Sequence, residues 1–460
     1  MVTAAVRARV MAVWRRVLSL AWPVMAEQTF RTAMRTTDII VTGFFSPAAV
    51  AAIGLADLYA RLPLRIGLGL GGGAIALSSQ DTGADATANR DEAVTQALLM
   101  GILAGIPFIL FGYFLGYQAI AILGAPHEVA EMGGTYLAII FATAPARHIA
   151  LIGARSLQGT GDTRTPMYIN AISNAFNIVG SVLLGLGLLG APRLGIVGVG
   201  LATAFGNVFT AGALLLAMHR DWTSASFAWP SNLAISKQLL AISTPRVGEG
   251  LVATIAEFPF NALLLTFGTE VNAAYQIGHR MYQQVTGPLS RGYNVAASVL
   301  VGQAVGDGDP KEATFLGWAT AALGLITVGA IGALLFVGAD WFVLLFTRDL
   351  TTLGYATDFA RTYGLAAPFL VLFVVLSGSL QGGSDTRTPF IARTTGLFGF
   401  LLGFSYLTSV VLDFGVVGIY AGIVLYYAWA TVIVAAGFRW GGWADRAARM
   451  MKERGTAGAE

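Results

Sequence analysis

No cysteine occurs among the 460 residues, which excludes disulfides, thiol nucleophiles and thiolate metal sites. Histidine is nearly as scarce: His127, His148, His219 and His279 form no HExxH or comparable ligand spacing. With no nucleophile spaced for a partner base and no metal motif, the chain reads as neither an enzyme nor the holder of a cofactor. Charged residues make up only 12% of the sequence, against about 25% in soluble domains. What is abundant is apolar: 55% of the residues are hydrophobic, a composition that places the chain in a lipid bilayer.

Crossing the hydrocarbon takes about 20 helical residues. Twelve apolar runs meet that length, at 17–44, 49–79, 93–116, 130–157, 166–190, 194–218, 236–268, 272–305, 314–338, 354–380, 389–412 and 416–438. The 57 glycines suit this reading, because membrane helices pack closely through small residues. The first residues, MVTAAVRARVMAVWRR, are basic but offer no small-residue cleavage site, so the segment reads as retained. Counting turns alternately puts Arg7, Arg9, Arg15, Arg16, Arg90, Arg164, Lys311, Arg387, Arg393 and the basic tail on one side and only Arg193 and Arg348 on the other. The positive-inside rule then makes both termini cytoplasmic in a multi-pass plasma-membrane protein. The same asymmetry accounts for the pI near 9.1 without any nucleic-acid partner.

Two stretches are nearly identical: SLQGTGDTRTP from Ser156 and SLQGGSDTRTP from Ser379, an offset of 379 − 156 = 223. Gln80 and Gln303, and Pro145 and Pro368, repeat at the same offset, and Pro23 and Glu27 match Pro245 and Glu249 one residue short of it. The chain is therefore a tandem duplication: a six-helix lobe at 1–218, a cytoplasmic linker at 219–235, a second six-helix lobe at 236–440 and a cytoplasmic tail at 441–460. Six is even, so both copies share one orientation and are expected to enclose a cleft that opens to either side. In the repeated turn, Gly159 and Gly161 permit positive φ, Asp162 and Arg164 suit a local pair, and Thr165 and Pro166 suit a helix start.

These paired turns, the duplicated halves and TDIIVTGFFSPAAVAAIG in the first helix resemble the multidrug and toxic compound extrusion (MATE) transporters over roughly residues 17–440. The resemblance implies an all-α, V-shaped fold of twelve transmembrane helices in two lobes. It also implies a monomer that exports small organic compounds, cationic or amphiphilic, by antiport against protons or sodium. A flippase for lipid-linked or anionic amphiphilic substrates is the alternative, because Arg31, Arg35, Arg61, Arg65, Arg147 and Arg155 suit phosphates. In either case membrane lipid is a partner.

A charge within a membrane span costs roughly 2.5–3.5 kcal/mol on insertion scales and marks a candidate site. Glu27, Arg31, Arg35 and Asp38 share one face of the first helix, and Asp57, Arg61 and Arg65 follow at steps of four in the second. Asp38 matches the first-helix aspartate of the DinF-like branch of the family. Asn177 and Thr203 match the polar cluster beneath it, whereas Ser181 stands where that branch has a second aspartate. One carboxylate fewer weakens an oxygen-ligated cation site, so the resemblance favours proton over sodium coupling. At the 223 offset Asp38 faces Asn261, which confines the coupling chemistry to the first lobe. Glu249, Glu257, Met34, Tyr275 and Tyr282 are candidates for substrate contact, Glu249 and Glu257 having Arg246, Arg280 and Arg291 as alternative partners.

Overall fold

The computed structural model describes residues 2–455 and is helical throughout, with no strand among them. Met1 and residues 456–460, the extremities of the expected first lobe and tail, lie outside the described residues. The helices are α1 (Val2–Gly43), α2 (Pro47–Gly83), α3 (Thr87–Ala121), α4 (His127–Ala142), α5 (Ala144–Gly159), α6 (Arg164–Leu186) and α7 (Ile196–His219). After a connector come α8 (Leu233–Leu265), α9 (Thr269–Gly306), α10 (Pro310–Val343), α11 (Leu350–Gly382), α12 (Arg387–Val411), α13 (Val416–Trp440) and α14 (Trp443–Glu453). Among the described residues, nine helices are long and apolar enough to cross a membrane, or ten if α4 and α5 form one span bent by 49°. The break falls at Thr143, followed by Pro145, whose ring removes a helical N–H. Helices α1 and α9 have 42 and 38 residues but carry ionisable side chains along their length. They complete the twelve expected spans without being uniformly apolar.

The chain forms two compact units. One comprises Met1–Met25, Ser79–Asp85 and Gly248–Glu460; the other comprises Ala26–Ser78 and Ala86–Val247. Helices α1, α2 and α8 thus each contribute to both.

In the first unit, α9 and α11 pack backbone to backbone. A Cβ added at Gly378 would lie 2.8 Å from Asn294 Nδ2, and one at Gly382 would lie 3.0 Å from the Gly302 nitrogen. The stations at 294, 298 and 302 on α9 meet 378 and 382 on α11, four residues apart on each helix, which is the small-residue mode of membrane packing. The short α2–α3 segment joins this layer: Gln80 Nε2 donates to the Gly382 carbonyl (2.7 Å) and to Ser384 Oγ (2.9 Å). Gly382→Leu is accordingly expected to destabilise the protein by about 1–3 kcal/mol through overpacking. The thermal midpoint in detergent checks this, and an unchanged midpoint would mean that the helices can separate freely.

Both copies of the repeated turn start a helix through their aspartate. Asp162 Oδ1 accepts from the N–H groups of Arg164 (3.2 Å) and Thr165 (3.0 Å), so Asp162 supplies the cap rather than Thr165. In the second copy Asp385 accepts from the Thr388 N–H at 3.1 Å and also meets Arg446 of α14 at 2.9 Å. Positive φ falls on Gly161 and, at the equivalent position, on Ser384. Gly159 serves a different purpose: a Cβ there would stand 2.8 Å from the Cβ of Ser78. At the start of α11, Asp349 accepts from the Thr352 N–H (2.8 Å), and that bond holds its carboxyl below the usual carboxylate range.

The polar connector after α7 is laced to the first turns of α3. Glu92 accepts from the N–H groups of Ser231 and Asn232, Asp91 from Ser226 (3.2 Å) and Thr95 from Ala228 (3.1 Å), while Arg90 donates to the Ser224 carbonyl. Irregular backbone is satisfied here by side chains of a single helix end.

Candidate functional site

The site lies in the unit containing Ala26–Ser78 and Ala86–Val247. Helices α6 and α7 approach closely because glycines face them: a Cβ at Gly180 would lie 3.0 Å from the Ala202 Cβ, and one at Gly206 would lie 3.2 Å from Ser173 Oγ. Gly185 admits α1, with Val41 Cγ1 at 3.1 Å from its notional Cβ. This packing brings Asp38 of α1, Asn177 and Ser181 of α6, and Thr203 of α7 into one cluster.

Ser181 Oγ donates to Asp38 Oδ1 at 2.7 Å. Asn177, one helical turn before Ser181, is buried, as is Ser181. In the amide orientation that satisfies all partners, Asn177 donates to Asp38 Oδ1 at 3.3 Å and its oxygen accepts from the Thr203 N–H (3.2 Å) and hydroxyl (3.0 Å). In the opposite orientation the amide nitrogen donates to Thr203 Oγ1 at 3.0 Å and the oxygen faces Ser181 at 3.4 Å. A carboxylate accepts only, whereas a carboxylic acid also donates. A side-chain amide that can turn either end toward Asp38 can therefore serve both protonation states.

Of the expected charged residues, Arg35 and Asp57 are the ones whose charge acts on Asp38. Glu27 is buried and takes Arg31 at 3.4 Å across one turn of α1. Asp57 has Arg35, Arg147 and Arg61 as its charged neighbours. Arg155 has Glu27, Arg246 and Arg31 as its own. Arg65 and Met34 lie on these two helices, partly exposed. Tyr136 of α4, buried beside Asp57 and Asp38, was not singled out by sequence, where it is one aromatic among 50 with nothing local to mark it. His148 of α5 is another such residue. Fully buried, it places Nδ1 and Nε2 each 2.8 Å from a backbone carbonyl, of Gly101 and Pro63, and so ties α3 and α2 to α5.

The remaining candidates belong to the other unit. Glu249 is buried and pairs with Arg393 at 2.7 Å, a partner 144 residues away along the chain. Arg393 also reaches the Tyr426 hydroxyl (3.3 Å) and lies 4.9 Å above the Phe373 ring. Tyr275 and Tyr282 are buried in an aromatic ladder: Tyr275 stacks on His279 and His279 on Tyr363, each at 5.4 Å, and Tyr363 stacks on Tyr282 at 5.3 Å. Glu257 is exposed, with His279 and Tyr275 in its field. Asn261, the repeat equivalent of Asp38, accepts from Gln276 at 3.0 Å, a neutral amide contact in place of an acid.

The MatE family profile matches residues 23–183 and 245–407, once in each half of the chain. The chain is 29% identical over 420 residues to the "Probable multidrug resistance protein NorM" of Rhodopseudomonas palustris, covering 88% of this chain and 87% of that protein. It is 26% identical over 433 residues to the "Multidrug resistance protein NorM" of Burkholderia vietnamiensis, covering 90% and 91%. Among solved structures, MATE in the bent conformation superposes with a TM-score of 0.86 at 21% identity, covering 96% of each chain, and the eukaryotic AtDTX14 with 0.81 at 15%, covering 96% and 99%. A duplicated profile spread over both halves, together with that shared fold, makes this chain a member of the MATE family of multi-pass membrane transporters.

Proposed function

We propose that this chain exports small organic solutes across the cell membrane in exchange for inward protons, with both termini cytoplasmic and Asp38 as the coupling acid. The observation that carries the reading is the surroundings of Asp38: its Oδ1 takes donors from Ser181 and Asn177, a hydroxyl and an amide rather than a second carboxylate. When Asp38 is ionised these donors satisfy it. When it takes a proton, Asn177 turns its oxygen toward the new O–H, and the attraction of Asp38 for the nearby Arg35 disappears. Loss of that attraction frees α1 to shift, so that substrate and proton alternate at the site. The names of the relatives support multidrug substrates.

The test is reconstitution in vesicles with a pH gradient or a sodium gradient imposed alone, following a fluorescent organic cation. The pH gradient by itself is expected to drive efflux; a parent that responds to sodium only would overturn the proton assignment. Ser181→Asp places a second carboxylate beside Asp38. It is expected to add a sodium-driven component absent from the parent, because paired carboxylates demand a compensating cation.

One observation favours a second reading. Arg31, Arg35, Arg61, Arg147, Arg155 and Arg246 outnumber Glu27, Asp38 and Asp57 in the same unit, and Arg147 has Arg35 and Arg31 as close neighbours. A surplus of guanidinium groups suits phosphate, and a flippase for anionic amphiphiles would show translocation of a fluorescent anionic lipid in the same vesicles without cation efflux.

A further inference from the structure

A groove of about 660 Å³ runs along the outside of α10, α11 and α13, within the unit that holds Gly248–Glu460. Phe336 of α10, Leu365 of α11 and Val417, Val424 and Leu425 of α13 form its apolar wall. Asp358, Arg361 and Tyr420 line it as well. Arg361 Nη2 lies 2.8 Å from Asp340 Oδ2 and Nη1 lies 4.0 Å from Asp358 Oδ1. The three side chains are 41%, 61% and 49% exposed, so they open to their surroundings rather than into packed protein. The Tyr420 hydroxyl, near Asp358, is a buried polar atom with no hydrogen-bond partner among the described residues.

Charges open to the side of a membrane helix cost several kcal/mol unless polar groups accompany them. Here two carboxylates share one guanidinium, which leaves one negative charge in excess beside a tyrosine hydroxyl able to donate. We propose that this groove binds a zwitterionic ethanolamine phospholipid. The lipid's ammonium group has three N–H donors for Asp358 and Asp340, its phosphate takes Arg361 and the Tyr420 hydroxyl, and an acyl chain lies along Leu365 and Leu425. Choline offers no N–H to the carboxylates, and glycerol headgroups bring a net negative charge to a site that already has one. The groove therefore discriminates by donor chemistry and charge together.

The intact protein, purified and delipidated in mild detergent, is titrated with dioleoyl phosphatidylethanolamine, phosphatidylcholine and phosphatidylglycerol, and bound lipid is counted by native mass spectrometry. Phosphatidylethanolamine is expected to bind about tenfold more tightly than either competitor, the discrimination that follows when charged acceptors lose a donor. Asp340→Asn combined with Asp358→Asn is expected to erase the preference over phosphatidylcholine. Leu365→Trp, at a side chain already 54% exposed, is expected to reduce binding of all three lipids by filling the groove. Equal affinities in the parent, a preference for phosphatidylglycerol, or selectivity that survives the double substitution would each overturn the proposal. The parent's ranking of the three lipids requires no variant, so the test stands even if a substituted chain fails to fold.

Discussion

Asp38→Asn is expected to abolish efflux driven by a pH gradient while leaving the fold intact. The amide has the size of the acid, and its oxygen still accepts from Ser181 Oγ, which lies 2.7 Å from Oδ1 in the parent. What it cannot do is carry a proton. One unit of pH gradient supplies about 1.4 kcal/mol per proton, enough to sustain a tenfold concentration difference of a solute exchanged one for one. Without the titrating group that tenfold accumulation disappears and only downhill movement remains. Vesicles loaded with a fluorescent organic cation and exposed to a pH step measure it directly, with thermal unfolding as the control for folding. A variant that still concentrates substrate under the pH gradient would remove Asp38 from the coupling role. The unit that contains Gly248–Glu460 offers no replacement at the equivalent position, where Asn261 meets Gln276.

The second large effect is on stability, at Arg454. Its guanidinium lies in the unit that contains Ser79–Asp85, with Nη2 2.8 Å from Asp81 Oδ1 and Nε 2.9 Å from the same oxygen. Nη2 also donates to Gln80 Oε1 at 2.9 Å, and neither Arg454 nor Asp81 exposes any side-chain surface. Removing one partner of such a pair leaves the other charge buried without compensation, at a cost of about 3–5 kcal/mol. Arg454→Ala is therefore expected to lower the thermal midpoint markedly and to release α14 to limited proteolysis. Replacing both partners, Arg454→Met with Asp81→Leu, is expected to recover most of the loss, because paired apolar side chains spare the desolvation of two ions. If the single and double variants melt together at the parent's midpoint, the pair contributes nothing to the fold. Trp443, stacked on Phe438 at 5.0 Å, and Arg446, bound to Asp385, seat the other end of α14.

Sequence determined the features whose cause is local. A span needs only enough consecutive apolar residues, so the alternation of helices and turns is written along the chain, and the repeated turn reveals the duplication without reference to packing. The cost of placing a charge in a span made Asp38, Asp57 and the α1 and α2 arginines legible as candidates. Asn177, Ser181 and Thr203 became candidates only through the family resemblance, since uncharged polar residues in a span carry no comparable cost.

Tertiary structure alone decided what depends on distant partners. Glu249 meets Arg393 across 144 residues and Arg454 meets Asp81 across 373, and no periodicity relates positions so far apart. The last turn of α14 reads in sequence as part of a basic tail, yet one of its neighbouring arginines is buried, because Asp81 and Gln80 supply the acceptors that compensate its charge. Likewise the partition of α1 between two compact units, just past Pro23, follows from which residues its two ends pack against.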